Sequence, residues 1–158
     1  MLVNKLILKN KVAFLFLFFV SLVKAQTNLP ASRTTWNSET PLGWTDWGTS
    51  ADTTSSDKSL NLGKLENTGD YYEIFFNTTP KQLIFQMKGE SFQGGNFSLQ
   101  ESTDGVYWSN IKTYKSITDN CERQQLSLKS TSRYIRFLYT TKRNGNIYID
   151  EVEITSAE

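Results

Sequence analysis

Alternation of apolar and polar side chains along short segments constrains this chain more than any other feature. The clearest runs cover residues 71–76, 82–88, 96–101 and 133–140. In an extended strand successive side chains point to opposite faces, so each run predicts a strand with one buried face. No apolar stripe at helical spacing is sustained in the sequence. Short strands separated by turn signals therefore predict an all-β, antiparallel sandwich or barrel.

Turn residues and changes of parity mark the boundaries between these strands. The stretch 89–95 contains three glycines and is predicted to be a loop. Asp104-Gly105 predicts a two-residue hairpin turn, because glycine adopts positive φ without steric cost. The apolar positions change parity between Ile149 and Val152. This change predicts a β-bulge near Asp150, where one extra residue switches the inward face.

The N-terminal residues 1–25 have the features of a secretory signal peptide. Lys5, Lys9 and Lys11 precede an apolar run at 12–23, and a short side chain, Ala25, ends the segment. The alternative is a membrane anchor, but a spanning helix needs about 20 apolar residues and this run is shorter. We therefore expect no membrane span, a single β-sandwich domain at 26–158, and a location outside the cell, at its surface or in the periplasm.

Charge argues against nucleic acid as a partner. The whole chain has 17 basic and 16 acidic residues. Residues 1–25 hold four of the lysines and no acid, which leaves 13 basic against 16 acidic residues in the predicted domain. The segment 112–143 is locally basic, yet strand alternation divides its cations between opposite faces.

Residue content also excludes several kinds of catalysis. The chain has no histidine, which removes Ser-His-Asp and Cys-His nucleophiles and imidazole metal sites. Its single cysteine, Cys121, cannot form an intrachain disulfide and is expected to be a small, partly buried side chain at the start of a strand. Asp150, Glu151 and Glu153 are neighbours on one predicted strand, so they cannot face each other across a cleft as glycosidase carboxylates do. We expect a protein without enzymatic activity.

Four segments together resemble the discoidin-type, galactose-binding-like jelly roll. They are GDYYEI at 69–74, QESTDGVYW at 100–108, SRYIRF at 132–137 and the EVEI ending of 146–154. Further phrases, PLGW at 41–44 among them, resemble modules in secreted proteins of Bacteroidota-type bacteria.

The resemblance implies a jelly-roll β-sandwich, with Trp108 at a core position and the ligand-binding end at the loop 89–95. Related jelly rolls often hold a structural calcium ion, for which Asp150 is the one residue we can name. The framing cysteines of many animal members and their calcium-loop pattern are missing from this sequence. We therefore expect no cofactor or other metal.

Aromatic side chains in irregular segments are the candidates for stacking on sugar rings. Trp44 and Trp47 lie three residues apart in a segment rich in Gly, Ser and Thr, and both core packing and exposure are open for them. Phe92 lies among the glycines of 89–95, either displayed to solvent or folded back onto the end of the sandwich.

An antiparallel chain path places alternate connections at the same end of the sandwich. It groups the loops 63–69, 89–95, 115–121 and 141–146, and thereby predicts a ligand site that combines Phe92 with Lys142, Arg143 and Asn144. Stacking and charge-assisted hydrogen bonds at such a site suit an extracellular glycan, which could be anionic. The alternative is a structural or adhesion module that binds a protein partner and has no sugar site.

Overall fold

The computed structural model describes residues 25–52 and 62–157, so most of the predicted signal peptide lies outside the described residues. Within these ranges the chain forms strands and connections without helix, and thus no helix there is long and apolar enough to cross a membrane. The strands are β1 (Ala31–Arg33), β2 (Trp44–Trp47), β3 (Ser50–Asp52), β4 (Leu62–Leu65), β5 (Tyr71–Phe75), β6 (Pro80–Ser102), β7 (Ser109–Ser116), β8 (Glu122–Ser127), β9 (Tyr134–Thr141) and β10 (Asn144–Ser156).

The long strand β6 belongs to two halves of one curled antiparallel sheet. Its first part, around 82–93, pairs with β8 on one edge and β10 on the other. Its second part, around 96–102, pairs with β7 and β9. Sheet 1 therefore has the order β8-β6-β10-β4-β3, with β1 also on β10, and sheet 2 has the order β7-β6-β9-β5-β2. The all-β antiparallel sandwich predicted from the sequence is confirmed.

The core lies between the two sheets and follows the predicted alternation. Phe85 from sheet 1 and Phe137 from sheet 2 meet edge to face, with ring centroids 5.1 Å apart. Ile74 and Ile149 are likewise fully buried. The first half of β6 and most of β9 bury every second side chain. The removal of this apolar surface from water is the main force that holds the sheets together.

The stretch 89–95 is not a loop, which corrects the expectation from its glycines. It is the part of β6 that passes from sheet 1 to sheet 2. A Cβ atom at Gly89 would lie 2.8 Å from the carbonyl oxygen of Ile117, and one at Gly95 would lie 2.7 Å from that of Thr141. Glycine occurs here because the backbone passes very close to neighbouring chain, which is its other common role in strands.

Two local predictions have different outcomes. The bulge in β10 is confirmed, because Asp150 pairs with Gln86 but Glu153 pairs with Ile84, so one strand has an extra residue. The turn at Asp104-Gly105 does connect β6 to β7, but the connection spans 103–108 and is longer than a two-residue hairpin.

A methyl group at Gly95 should destabilise the fold at the point where β6 changes sheets. We expect Gly95→Ala to lower the free energy of unfolding by about 1–3 kcal/mol, since a Cβ would overlap the fixed backbone of Thr141. Chemical denaturation measures the change. Gln93→Ala, on an exposed side chain of the same strand, is the control and should stay within about 0.5 kcal/mol of the wild type. Equal stability of all three proteins would contradict this account of Gly95.

Candidate binding face

Phe92 lies inside the sandwich and is not displayed to solvent. Its side chain is 4% exposed and its ring is 5.7 Å from that of Tyr139, centroid to centroid. A Cβ atom at Gly89 would come within 2.9 Å of the Phe92 Cβ, and one at Gly95 within 3.1 Å of its ring. The flanking glycines therefore make room for a buried ring, and the expectation of a stacking platform at Phe92 is corrected.

Trp44 and Trp47 point to opposite sides of sheet 2, because an odd separation in a strand reverses the face. Trp44 is buried and meets Trp36 edge to face at 6.1 Å, which corrects its assignment as a ligand contact. Trp47 is 63% exposed on the outer side. Of Phe92, Trp44 and Trp47, only Trp47 has a ring that is open to a ligand.

The predicted basic end does exist as a cluster of segments. The backbone N–H of Lys142 donates to Thr68 Oγ1 at 2.7 Å, and that of Gly89 to the Thr118 carbonyl at 2.7 Å. The Lys142 ammonium contacts the Glu66 carbonyl and lies 3.2 Å from Asn146 Oδ1, so it braces the loops. The side chains of Arg143 and Asn144 at the same end are exposed, and they do not hold loops together as Lys142 does.

The outer side of sheet 2 carries aromatic groups that sequence reasoning placed elsewhere or left unassigned. We call this surface the binding face. It consists of the outward side chains Trp47, Tyr71, Glu73, Phe75, Gln100, Trp108, Tyr134 and Arg136. Cross-strand register brings them together, since Trp47 pairs with Tyr71 and Glu73 with Arg136.

The aromatic side chains of the binding face form two groups. In the first, the rings of Trp47 and Tyr71 are nearly parallel, at 16° and 6.4 Å between centroids. In the second, Tyr134 stacks on Phe75 at 4.4 Å and meets Trp108 edge to face at 6.2 Å. Tyr71 and Phe75 are the two ends of β5, so the groups are separated by about 13 Å along the strand. No single sugar ring spans that distance.

A fixed guanidinium group lies between the two aromatic groups. Arg136 donates from Nε and Nη2 to Gln100 Oε1, at 3.0 and 2.7 Å. Gln100 in turn donates from Nε2 to Asn110 Oδ1 at 2.9 Å, which sets the orientation of its amide. The Arg136 guanidinium carbon lies 3.9 Å from the ring centroid of Trp108, within the range of a cation–π contact.

The charge of Arg136 is balanced locally. Partial burial lowers the pKa of the Arg136 guanidinium, and the neighbouring Glu73 carboxylate, itself covered by its neighbours, opposes that shift. Arginine stays protonated at neutral pH despite such shifts. The middle of the binding face therefore offers a cation and amide groups above a buried carboxylate, in a polar patch with little net charge.

Trp108 belongs to this surface and not to the core, which corrects its expected position. It is only partly buried, between Tyr134 and Arg136. The alternation of 71–76 already assigned Tyr71, Glu73 and Phe75 to the face opposite the apolar one, but sequence reasoning did not use that face to locate a site. The aromatic residues on this outward face are accessible to solvent, whereas the one in the glycine-rich segment, Phe92, is buried.

Asp150, Glu151 and Glu153, the carboxylates considered for metal binding or catalysis, do not form a common site. Asp150 is buried, and its Oδ1 accepts a hydrogen bond from Trp36 Nε1 at 3.2 Å. Glu151 and Glu153 are exposed, which is consistent with strand neighbours that do not converge. Within residues 25–52 and 62–157, no group of three or more acidic or cysteine side chains is placed to hold a metal ion. Cys121 is exposed rather than partly buried, with Sγ 2.9 Å from Gln86 Oε1.

Comparison with known proteins gives a fold relationship. No protein-family model matches the chain, and no curated protein matches it either. Solved structures do match. The K2 cleaved adhesin domain of Lys-gingipain aligns with a TM-score of 0.62 at 12% identity, over 80% of this chain and 99% of that domain. The K3 cleaved adhesin domain of Lys-gingipain from Porphyromonas gingivalis aligns at 0.60 and 13%, over 80% and 100%.

A carbohydrate-binding module is also among the matching structures. A point mutant of CBM29-2, a family 29 carbohydrate-binding module complexed with mannohexaose, aligns with a TM-score of 0.54 at 15% identity, over 80% of this chain and 93% of the module. At these identities the likeness shows the fold alone. The chain thus shares its β-sandwich architecture with adhesin domains and carbohydrate-binding modules.

Proposed function

We propose that this protein is a non-catalytic carbohydrate-binding module that holds a glycan on the binding face of sheet 2. The observation that carries the proposal is the pair of aromatic groups, Trp47 with Tyr71 and Tyr134 with Trp108, on either side of the fixed guanidinium of Arg136. Sugar rings present apolar C–H surfaces that pack on aromatic rings, and hydroxyl groups that need hydrogen-bond partners. The binding face supplies both.

The binding face is organised before a ligand arrives. Trp47 and Tyr71 stand on paired strands, and Arg136 is held by Gln100. Side chains that are already ordered lose little rotamer freedom on binding, and this reduces the entropic cost of association. Because the aromatic groups are farther apart than one sugar ring, the ligand that uses both is an oligosaccharide.

Charge distribution gives the two ends of the site different preferences. On the binding face Arg136 is offset by Glu73, which favours a neutral glycan. The exposed cation Arg143, beside Asn144, lies at the predicted basic end, and we propose it as a contact for acidic groups on a charged glycan. The anionic preference expected from the sequence would depend on that end.

Relatives in fold support a binding role of one of two kinds. CBM29-2 is named as a carbohydrate-binding module, and the Lys-gingipain domains are named as adhesin domains. The aromatic binding face favours the glycan, and adhesion to a protein partner is the alternative. The predicted signal peptide at 1–25 extends the proposal to a module that acts outside the cell, at its surface or in the periplasm.

Glycan-array screening of purified protein tests the choice between a glycan and a protein partner. Binding to no glycan, together with a co-purifying protein partner, would favour adhesion.

Removal of the exposed indole should weaken glycan binding without harm to the fold. We expect Trp47→Ala to raise the Kd for the best array ligand about two- to tenfold, because a lost aromatic contact costs roughly 0.5–1.5 kcal/mol. Isothermal titration calorimetry measures the Kd. Leu42→Ala, at another exposed apolar residue, is the matched control and should bind as the wild type does. If Trp47→Ala binds equally well, the binding face is not the site.

Arg136→Lys keeps the charge but removes the planar fork that Gln100 fixes. We expect affinity for a neutral oligosaccharide to fall about tenfold, since an ammonium cannot reproduce the two hydrogen bonds that converge on Gln100 Oε1 or the plane that lies over Trp108. The same substitution at an exposed arginine of sheet 1, Arg123→Lys, is the control. Unchanged affinity in both variants would remove Arg136 from the site.

The basic end is tested separately with a charged ligand. We expect Arg143→Ala to weaken binding of a polyuronate by up to about fivefold, because an exposed charge pair contributes up to about 1 kcal/mol. Binding of a neutral oligosaccharide should not change. Affinity measurements with both ligands at low and high salt distinguish the two effects. An equal loss for both ligands would place Arg143 in the main site, and no loss for either would exclude it.

A further inference from the structure

A concave site lies at the opposite end of the sandwich from Arg143. The connection 103–108 forms one side of it and the turn 129–132 the other. We call it the hairpin cleft. Its wall includes Tyr107, its floor includes Glu101, and Lys129 lies at its mouth. The binding face does not use these three residues, so the cleft stands apart from the function proposed above.

The floor of the hairpin cleft is a buried, ionised carboxylate. Glu101 is 6% exposed, and its Oε2 accepts hydrogen bonds from Ser132 Oγ at 2.7 Å and from the Lys129 backbone N–H at 3.1 Å. Burial raises the pKa of this carboxyl, but Lys129 and Ser132 outweigh burial and hold it below its usual value. Glu101 is therefore a permanent acceptor at neutral pH.

A donor lies directly beside this acceptor. The Lys129 ammonium is 2.9 Å from Glu101 Oε1, and its side chain is largely exposed. An ammonium has three N–H donors, and Glu101 occupies one of them. The cleft thus offers a donor and an acceptor side by side, in a pair that carries no net charge.

The wall of the cleft holds an aromatic ring in water. Tyr107 is 81% exposed, the most of any large hydrophobic residue described. Its backbone is held rigidly, because Asp104 Oδ1 accepts the N–H groups of Val106 and Tyr107 at 2.8 and 2.9 Å. Ser102 Oγ accepts the N–H of Gly105 at 2.9 Å. The ring is therefore presented by an ordered connection. The burial of Glu101 is explained by its hydrogen bonds to the turn 129–132. The exposure of the Tyr107 ring has no such structural explanation.

We propose that the hairpin cleft binds a single, uncharged sugar residue, such as the terminal residue of a glycan chain. One C–H face of the sugar packs against the Tyr107 ring. Of two adjacent hydroxyl groups, one accepts from the Lys129 ammonium and the other donates to Glu101. A hydroxyl can either donate or accept, so an adjacent donor and acceptor suit two neighbouring hydroxyls. The compensated ion pair gives no advantage to an acidic sugar. A module with this cleft and the binding face engages two glycan segments at once.

Monosaccharides separate this site from the binding face, since one ring is too small to cover both aromatic groups there. Amide NMR titrations of the full domain with D-galactose, D-mannose and D-glucose, one at a time, are the test. We expect at least one sugar to shift the amide signals of Ser109 and Thr131, which line the cleft. Tyr107→Ala should raise the Kd of the sugar that shifts these signals about two- to tenfold. Val106→Ala, at the exposed neighbour, should leave it unchanged.

Three results would overturn the proposal. The first is the absence of cleft shifts with all three sugars. The second is shifts that persist in both Tyr107→Ala and Lys129→Gln. The third is stronger binding of D-glucuronate than of D-glucose, which would show that Lys129 acts as an anion site. Trp47→Ala should retain the cleft shifts while it weakens oligosaccharide binding, so failure of the binding face and failure of the cleft are distinguishable.

Discussion

Passage of β6 from one sheet to the other is the constraint on which the rest of the sandwich depends. Both edges of β6 are paired in each half, so it is an interior strand of both sheets. The crossing requires a backbone without side chains at Gly89 and Gly95, and a ring, Phe92, that fills the space between them. The seven residues 89–95 therefore both allow the close approach of neighbouring backbone and fill the core at the crossing.

The binding face is a consequence of how the core is packed. In β5, Tyr72 and Ile74 are buried between the sheets, so Tyr71, Glu73 and Phe75 must point outward. Backbone hydrogen bonds from β5 to β2 and β9 set the register of these strands, and the register sets the distances between outward side chains. Most of the binding face stands on the interior strands β5, β6 and β9, with Trp47 on the edge strand β2 and Trp108 in the connection 103–108. Side chains on paired strands are held more precisely than side chains on loops.

How far the sequence predicts this molecule depends on the range of the interactions involved. Alternation is local, and it predicts the sandwich, the bulge after Asp150 and the grouping of connections at each end. Glycine is ambiguous, because flexible loops and close backbone contacts both require it, and this ambiguity led to the wrong placement of Phe92. The partners that decide the matter, Tyr139 for Phe92 and Arg136 for Trp108, are distant along the chain.

The Asp-Gly-x-x-Trp pattern at 104–108 illustrates how one motif serves both fold and surface. Asp104 accepts two backbone N–H groups and so holds the connection in one shape. That shape brings Trp108 against Arg136 on the binding face and leaves Tyr107 in water beside the hairpin cleft. Two aromatic residues that are consecutive in sequence therefore serve different surfaces. A turn that only reversed the chain would need neither ring. Packing on Arg136 and Tyr134 gives Trp108 a structural role, whereas the exposed ring of Tyr107 has none and is the basis for the proposed ligand contact.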